Sequence, residues 1–202
     1  VRLHAVKDYL DMALFLEKYP KLKLNFNIVP ALLDAIIDYS KDGCHDIHSE
    51  LSATDTNNIS EEEKAFILNN FFSAKFETMI YRSESYKELF QKRFSKDSAN
   101  TNDFSAQELS DLMALFNLVW IDPIHFERYP KLKDLWAKQR GYTLEDRLEI
   151  LSIQKQIIRE IIPTYQKYIQ EGRIELTTSP YYHAILPILL DMKNSVKSAA
   201  TT

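Results

Sequence analysis

The stretch Gly172-Arg173-Ile174-Glu175-Leu176-Thr177-Thr178-Ser179-Pro180-Tyr181-Tyr182-His183-Ala184-Ile185-Leu186-Pro187 decides how the rest of the chain is read. A glycine stops a helix, a short apolar strand follows, and the strand runs into a polar, aromatic turn bracketed by prolines. Polar and aromatic side chains just past a strand end are how α/β sheets and barrels build their sites. Glu175 lies between Ile174 and Leu176, so it points to the opposite face of the strand from theirs. In an open sheet that face is solvent. In a barrel it is the interior, where a carboxylate needs a partner or a job.

Working outward, the pattern is helical on the N-terminal side. Thr143-Leu144-Glu145-Asp146 opens the longest helix, to about Gln170, with Pro163 expected to kink it. Ser105-Ala106-Gln107-Glu108 and Ser60-Glu61-Glu62-Glu63 are capping boxes. They predict helices from 106 to Trp120 and from Glu61 to about Met79, with further helix over 80–94. Cys44 to Ser60 and Lys96 to Asp103 read as polar loops. Leu22, Leu24, Phe26 and Ile28 alternate with Lys21, Lys23, Asn25 and Asn27, the period of a strand. Pro30 opens a helix to about Tyr39. Leu3 to Tyr19 carries apolar residues at helical spacing. Ile185 to Asp191 begins a last helix.

Only 3 glycines occur in 202 residues, which favours helix over turn-rich strands. The fold class is therefore a helix-rich α/β protein. Its strands lie near 22–29 and 174–178, with a helical insertion over about 60–171. Two strands so far apart do not make a self-sufficient sheet. Either more strands pair with them, or the chain is a helical bundle with two short strands.

Composition narrows the function. Hydrophobic residues make up 45% and charged residues 27%, with a formal net charge of -4. That argues against a nucleic-acid partner. No apolar run is long enough to span a bilayer. The single cysteine, Cys44, fits a reducing cytoplasm. Neither a Gly-x-Ser-x-Gly elbow nor a phosphate-cradling glycine loop is present. Cys44, His45 and His48 sit together beside Asp46 and Glu50, but without a second half a polar loop outweighs a metal site. No metal or cofactor is expected. His125 reads as a polar residue joining helices. Aromatics are abundant, at 11 Tyr, 11 Phe and 2 Trp. Phe66, Phe71, Phe72 and Phe76 sit at helical spacing and read as core. Tyr181 and Tyr182 follow a strand end and are candidate sugar contacts.

Four segments carry a resemblance. Val1 to Met12, Leu24 to Leu33 (Leu-Asn-Phe-Asn-Ile-Val-Pro-Ala-Leu-Leu), Phe116 to Pro123 (Phe-Asn-Leu-Val-Trp-Ile-Asp-Pro) and Gly172 to Pro187 are together similar to glycoside hydrolase family 57. The last segment resembles that family's second conserved region. The resemblance implies a (β/α)7 barrel and a retaining mechanism on α-glucans, of α-amylase or 4-α-glucanotransferase type. It implies that residues 1–202 are one partial catalytic barrel domain, with a His-Gln-Pro strand before Val1. The catalytic Glu and Asp would follow Thr202, so none is assigned in this chain. Glu175 corresponds to the second-region glutamate, and His183, Tyr181, Arg2 and His4 are supporting substrate-binding candidates.

The expected partner is thus an α-glucan, and the chain alone is expected to be inactive. Open strand edges lead to an expectation of self-association. The competing reading is a non-catalytic helical module that binds a protein partner. A third, a polysaccharide deacetylase, lacks the metal-binding spacing it would need.

Overall fold

The computed structural model describes residues 1–94, 103–182 and 185–193. In chain order the helices are α1 (Arg2–His4), α2 (Leu10–Lys18), α3 (Pro30–Ser40), α4 (Ile47–Ser52), α5 (Glu61–Asn70) and α6 (Glu84–Phe94). They continue with α7 (Ala106–Val119), α8 (Ile124–Arg128), α9 (Lys131–Lys138), α10 (Leu144–Gln170) and α11 (Leu186–Leu190). A π-helical turn, Ala5–Tyr9, joins α1 to α2. The strands are β1 (Leu24–Asn27), between α2 and α3, and β2 (Ile174–Thr177), between α10 and α11.

Two helix-to-strand returns build the sheet. α10 lies alongside the α1–α2 run, in the same direction: Gln154 meets Arg2, Tyr165 donates to the Tyr9 carbonyl at 2.9 Å, and Tyr168 donates to Glu17 at 3.3 Å. Each helix then turns back into a strand. The strands therefore emerge parallel, with Leu24 opposite Ile174, Asn25 opposite Glu175, Phe26 opposite Leu176 and Asn27 opposite Thr177. Gly172 makes the second return at φ +65, a conformation that a side chain would strain. Arg173 braces both returns by donating to the carbonyls of Leu16 and Tyr19.

Leu24, Phe26, Ile174 and Leu176 share the face that packs on helices. Phe26 meets Tyr165 edge-on, with ring centroids 5.3 Å apart. Leu24 N–H donates to the Arg173 carbonyl and Ile28 N–H to the Thr177 carbonyl, each at 3.0 Å. In a parallel ladder each strand uses alternate residues toward one neighbour. The backbone groups of Asn25 and Asn27, and of Ile174 and Leu176, therefore face the two outer edges.

α7 is the centre of the core: Leu109 to Val119 are all buried. A helix apolar on most sides is one that others surround. Its polar residues have partners. Ser110 donates to the Tyr142 carbonyl at 2.6 Å, and Asp111 accepts from Tyr142 N–H at 2.8 Å.

The boxes at Ser60, Ser105 and Thr143 cap helices as read from the sequence. Other segments differ. The 44–60 stretch is not merely loop: Asp46 and Ser49 form a reciprocal cap that starts α4. α5 stops at Asn70 rather than near Met79. There the Asn70 side chain donates to the Phe66 carbonyl, and Tyr86 donates to the Phe71 carbonyl at 2.6 Å. These side chains satisfy helix-end acceptors, so the helix need not continue. Phe71 and Phe72 are buried, Phe66 is partly so, and Phe76 is exposed. α8 and α9 fall within the helical insertion read over about 60–171, in a span where the sequence pattern places no individual helix. Pro163 does not divide α10, which is one helix of 27 residues. Its ring sits on the exposed side, while Ile157, Ile158, Ile161, Tyr165 and Tyr168 anchor the flanks. The 96–103 loop lies outside the described residues except for Asp103.

Candidate functional site: the polar face of the parallel strands

Alternation places Asn25, Asn27, Glu175 and Thr177 on the face opposite the helices, and all four are exposed. The register then sets them in two rows. Thr177 hydroxyl donates to Asn25 Oδ1 at 3.2 Å. Asn27 Nδ2 donates to Thr177 Oγ1 and to Ser179 Oγ, both at 3.4 Å. Thr178 hydroxyl donates to the Ile28 carbonyl at 3.0 Å. Amides and hydroxyls thus knit the C-terminal ends of both strands. The Glu175 carboxylate forms no hydrogen bond or ion pair among the described residues.

At the C-terminal ends of the strands lie the two exits. β1 leads through Pro30 into α3, and β2 leads through Pro180 to Tyr181 and Tyr182. Tyr181 donates to Asp34 Oδ2 of α3 at 2.5 Å, which ties one exit to the other. That bond, then desolvation, then the Asp34 charge raise the pKa of the Tyr181 hydroxyl. The Tyr181 and Tyr182 rings meet edge-on at 4.7 Å. On the helix side of β2 runs an apolar hollow of about 400 Å³, lined by Leu33, Ile36, Ile161, Ile169 and Leu176 among others.

Of the residues singled out from sequence, the structure places Glu175 on this polar face, opposite Asn25 and two residues before the end of β2, and Tyr181 at the strand exit. His183 lies outside the described residues. Arg2 and His4 begin the run whose far end meets β1. They therefore lie on the same side of the molecule as the strand exits, about 20 Å of helix from Leu16. Their contacts, however, are with helices. The Arg2 guanidinium is buried. It donates from Nε to Asp46 Oδ2 at 2.8 Å, from Nη2 to Asp46 Oδ1 at 3.2 Å and from Nη1 to Asn117 Oδ1 at 3.0 Å, and it also meets Gln154. Burial opposes ionisation of Asp46, but the hydrogen bonds and charge of Arg2 prevail and hold its carboxyl at about 2. Asn117 passes the network on, donating to Ser52 Oγ at 2.9 Å. His4 is exposed, with Nδ1 2.6 Å from Asp8 Oδ2 and its ring edge-on to Trp120 at 5.2 Å.

The other histidines take structural places. His48 packs among Phe66, Phe71 and Phe116 at 5.0–5.6 Å, and burial lowers its pKa. His125 is fully buried at the start of α8, the helix that follows α7, with Nε2 3.2 Å from Asp11 Oδ1. Among the described residues no group of three or more His, Cys, Asp or Glu is placed to hold a metal. Among the described residues no helix is long and apolar enough to cross a membrane.

The sequence reading missed Asn25 and Asn27 as face residues, and also Thr177, Ser179 and Asp34. The alternation in β1 held the signal for the first two. Their pairing with Glu175 and Thr177, 150 residues away, needed the register.

Parallel strands, helices on one face and polar groups gathered at the strand C-terminal ends define an α/β protein of the kind that carries its site at that end. The chain matches the sequence model of Glycosyl hydrolase family 57 over residues 1–201, and it belongs to that family. No curated protein and no solved structure gives a match.

Proposed function

We propose that residues 1–202 form the sugar-facing part of a retaining α-glucan-active enzyme, a hydrolase or 4-α-glucanotransferase. Membership of a glycosyl hydrolase family supports a carbohydrate substrate. The observation that carries the reading further is the row Asn25, Asn27, Glu175, Thr177 and Ser179 beside two exposed tyrosines. Amides and hydroxyls match a polyol, and aromatic rings match the C–H faces of pyranoses.

In this reading the two strands belong to a (β/α)7 barrel, and the polar face is its interior. Among the described residues both sheet edges present unpaired backbone groups, and parallel sheets are rarely left with open faces. Retaining glycoside hydrolysis needs two carboxyl groups across the scissile bond, one as acid/base and one as nucleophile. Glu175 is the carboxylate on the polar face among the described residues. It serves here as a substrate contact, and the nucleophile and the acid/base come from further strands. Arg2 acts through the helical wall it organises, and His4 stands at its rim.

The test pairs binding with turnover. The chain should bind maltoheptaose and release no reducing sugar from soluble starch. Hydrolysis of starch by the purified chain would overturn the assignment of both catalytic groups to other strands.

A further inference from the structure

We propose that Asp34 is a positioning residue that fixes Tyr181 as a backstop, so that Tyr182 becomes the aromatic platform on which a pyranose ring stacks. The proposal rests on the carbohydrate reading above and divides the labour within the tyrosine pair.

Three observations carry it. Asp34 lies one turn into α3, directly after the exit of β1, and Tyr181 lies four residues past β2. Their 2.5 Å bond spans 147 residues of sequence and joins the two strand exits. The Tyr181 hydroxyl is therefore committed to the protein and is not free to donate to a ligand. Next, the two rings differ in exposure: Tyr181 is 43% exposed and Tyr182 is 86% exposed. Last, their interplanar angle is 76°, so the edge of one ring meets the face of the other. That arrangement is favourable for aromatic pairs and fixes the direction in which the Tyr182 ring stands. Pro180 stiffens the approach from β2. A platform held before the ligand arrives loses less freedom on binding.

Tyr181 faces Asp34, Asp38 of the next α3 turn, and Tyr182. With Asp34 neutralised, the Tyr181 hydroxyl loses its charged acceptor. The test uses the full chain labelled with 13Cζ-tyrosine, with the Tyr181 resonance assigned through Tyr181→Phe. In Asp34→Asn the Tyr181 hydroxyl should titrate at lower pH than in the parent chain. Amide exchange over 178–182 should quicken about fivefold, the factor for one modest hydrogen bond. Maltoheptaose affinity should fall by a similar factor and recover in Asp34→Glu. Tyr182→Ala should abolish binding, while Tyr182→Phe, which keeps the ring, should retain it. Tyr181→Phe loses the bond but keeps the ring, and should repeat the exchange and affinity changes of Asp34→Asn.

An unchanged Tyr181 titration in Asp34→Asn overturns the tie, whatever the sugar does. Parent-level binding in Tyr182→Ala overturns the platform. If Tyr181 responds but the parent chain binds no maltoheptaose, the carbohydrate reading falls and takes the platform with it, while the tie stands.

Discussion

Replacing Asp46 by Asn isolates the charge that balances buried Arg2. Asn is as good a helix cap as Asp, so the bond from Ser49 N–H to Oδ1, 2.9 Å in the parent, can persist. What disappears is the carboxylate facing the guanidinium. Asp46 is held at about 2 instead of 3.8, which corresponds to about 2.4 kcal/mol. Its side chain is 25% exposed, against 7% for Arg2, so solvent trims that figure to about 2 kcal/mol. Arg2 left without its counter-ion adds to the loss, and removing one partner of a fully buried pair costs about 3–5 kcal/mol. The expectation for Asp46→Asn is a loss of about 2–3 kcal/mol at pH 7, or about 5–10 °C in melting temperature.

The sign follows from the direction of the shift. A carboxyl with a depressed folded pKa contributes its stability above 3.8 and loses it as pH falls through about 2. Urea unfolding of parent and variant at pH 7 and near pH 2 checks this. The gap should be full at pH 7 and mostly closed near pH 2. A variant within about 0.5 kcal/mol of the parent at pH 7, or a gap independent of pH, would refute the reasoning.

Three other outcomes are expected. Asp11 is buried beside His125 and Asp122, and burial raises its pKa; its share of stability is present below 3.8 and is lost as pH rises through the folded value. Asp11→Asn should therefore be at least as stable as the parent at pH 7 by urea unfolding, and a loss above about 1 kcal/mol would contradict the assignment. Pro163→Ala restores the missing N–H inside α10 and should raise the melting temperature, since proline in a helix interior costs up to about 3 kcal/mol against alanine; a lower melting temperature would show the ring is needed. The open edges of β1 and β2 should make the chain self-associate, with a sedimentation coefficient that rises with concentration; a monomer at all concentrations would count against it.

How much of this was legible in the sequence depends on range. Ser60, Ser105 and Thr143 each announced a helix start because a cap is a local event, complete within four residues. The alternation of Leu24 and Phe26 with Asn25 and Asn27 announced β1 for the same reason. The cap at Asp46 escaped because its reciprocal partner is Ser49 rather than Glu or Gln. The helix from Thr143 to about Gln170 was also legible, and packing of Ile157, Ile161 and Tyr165 carries it through Pro163 despite one lost backbone bond. Arg2 read as a supporting substrate-binding candidate, and its buried network was not visible. Its partners Asp46, Asn117 and Gln154 lie 44, 115 and 152 residues away, beyond any periodicity. The candidate site shows the same division. Glu175 and Tyr181 stood out from one strand and its exit, but the facing row and Asp34 came from another part of the chain.

The most direct test of the central claim is a maltoheptaose titration of the 15N-labelled chain, followed residue by residue by NMR. The account predicts shifts concentrated at Asn25, Asn27, Glu175, Thr177, Ser179 and Tyr182, with α7 and α9 silent. Saturating sugar that leaves those residues unmoved would contradict it.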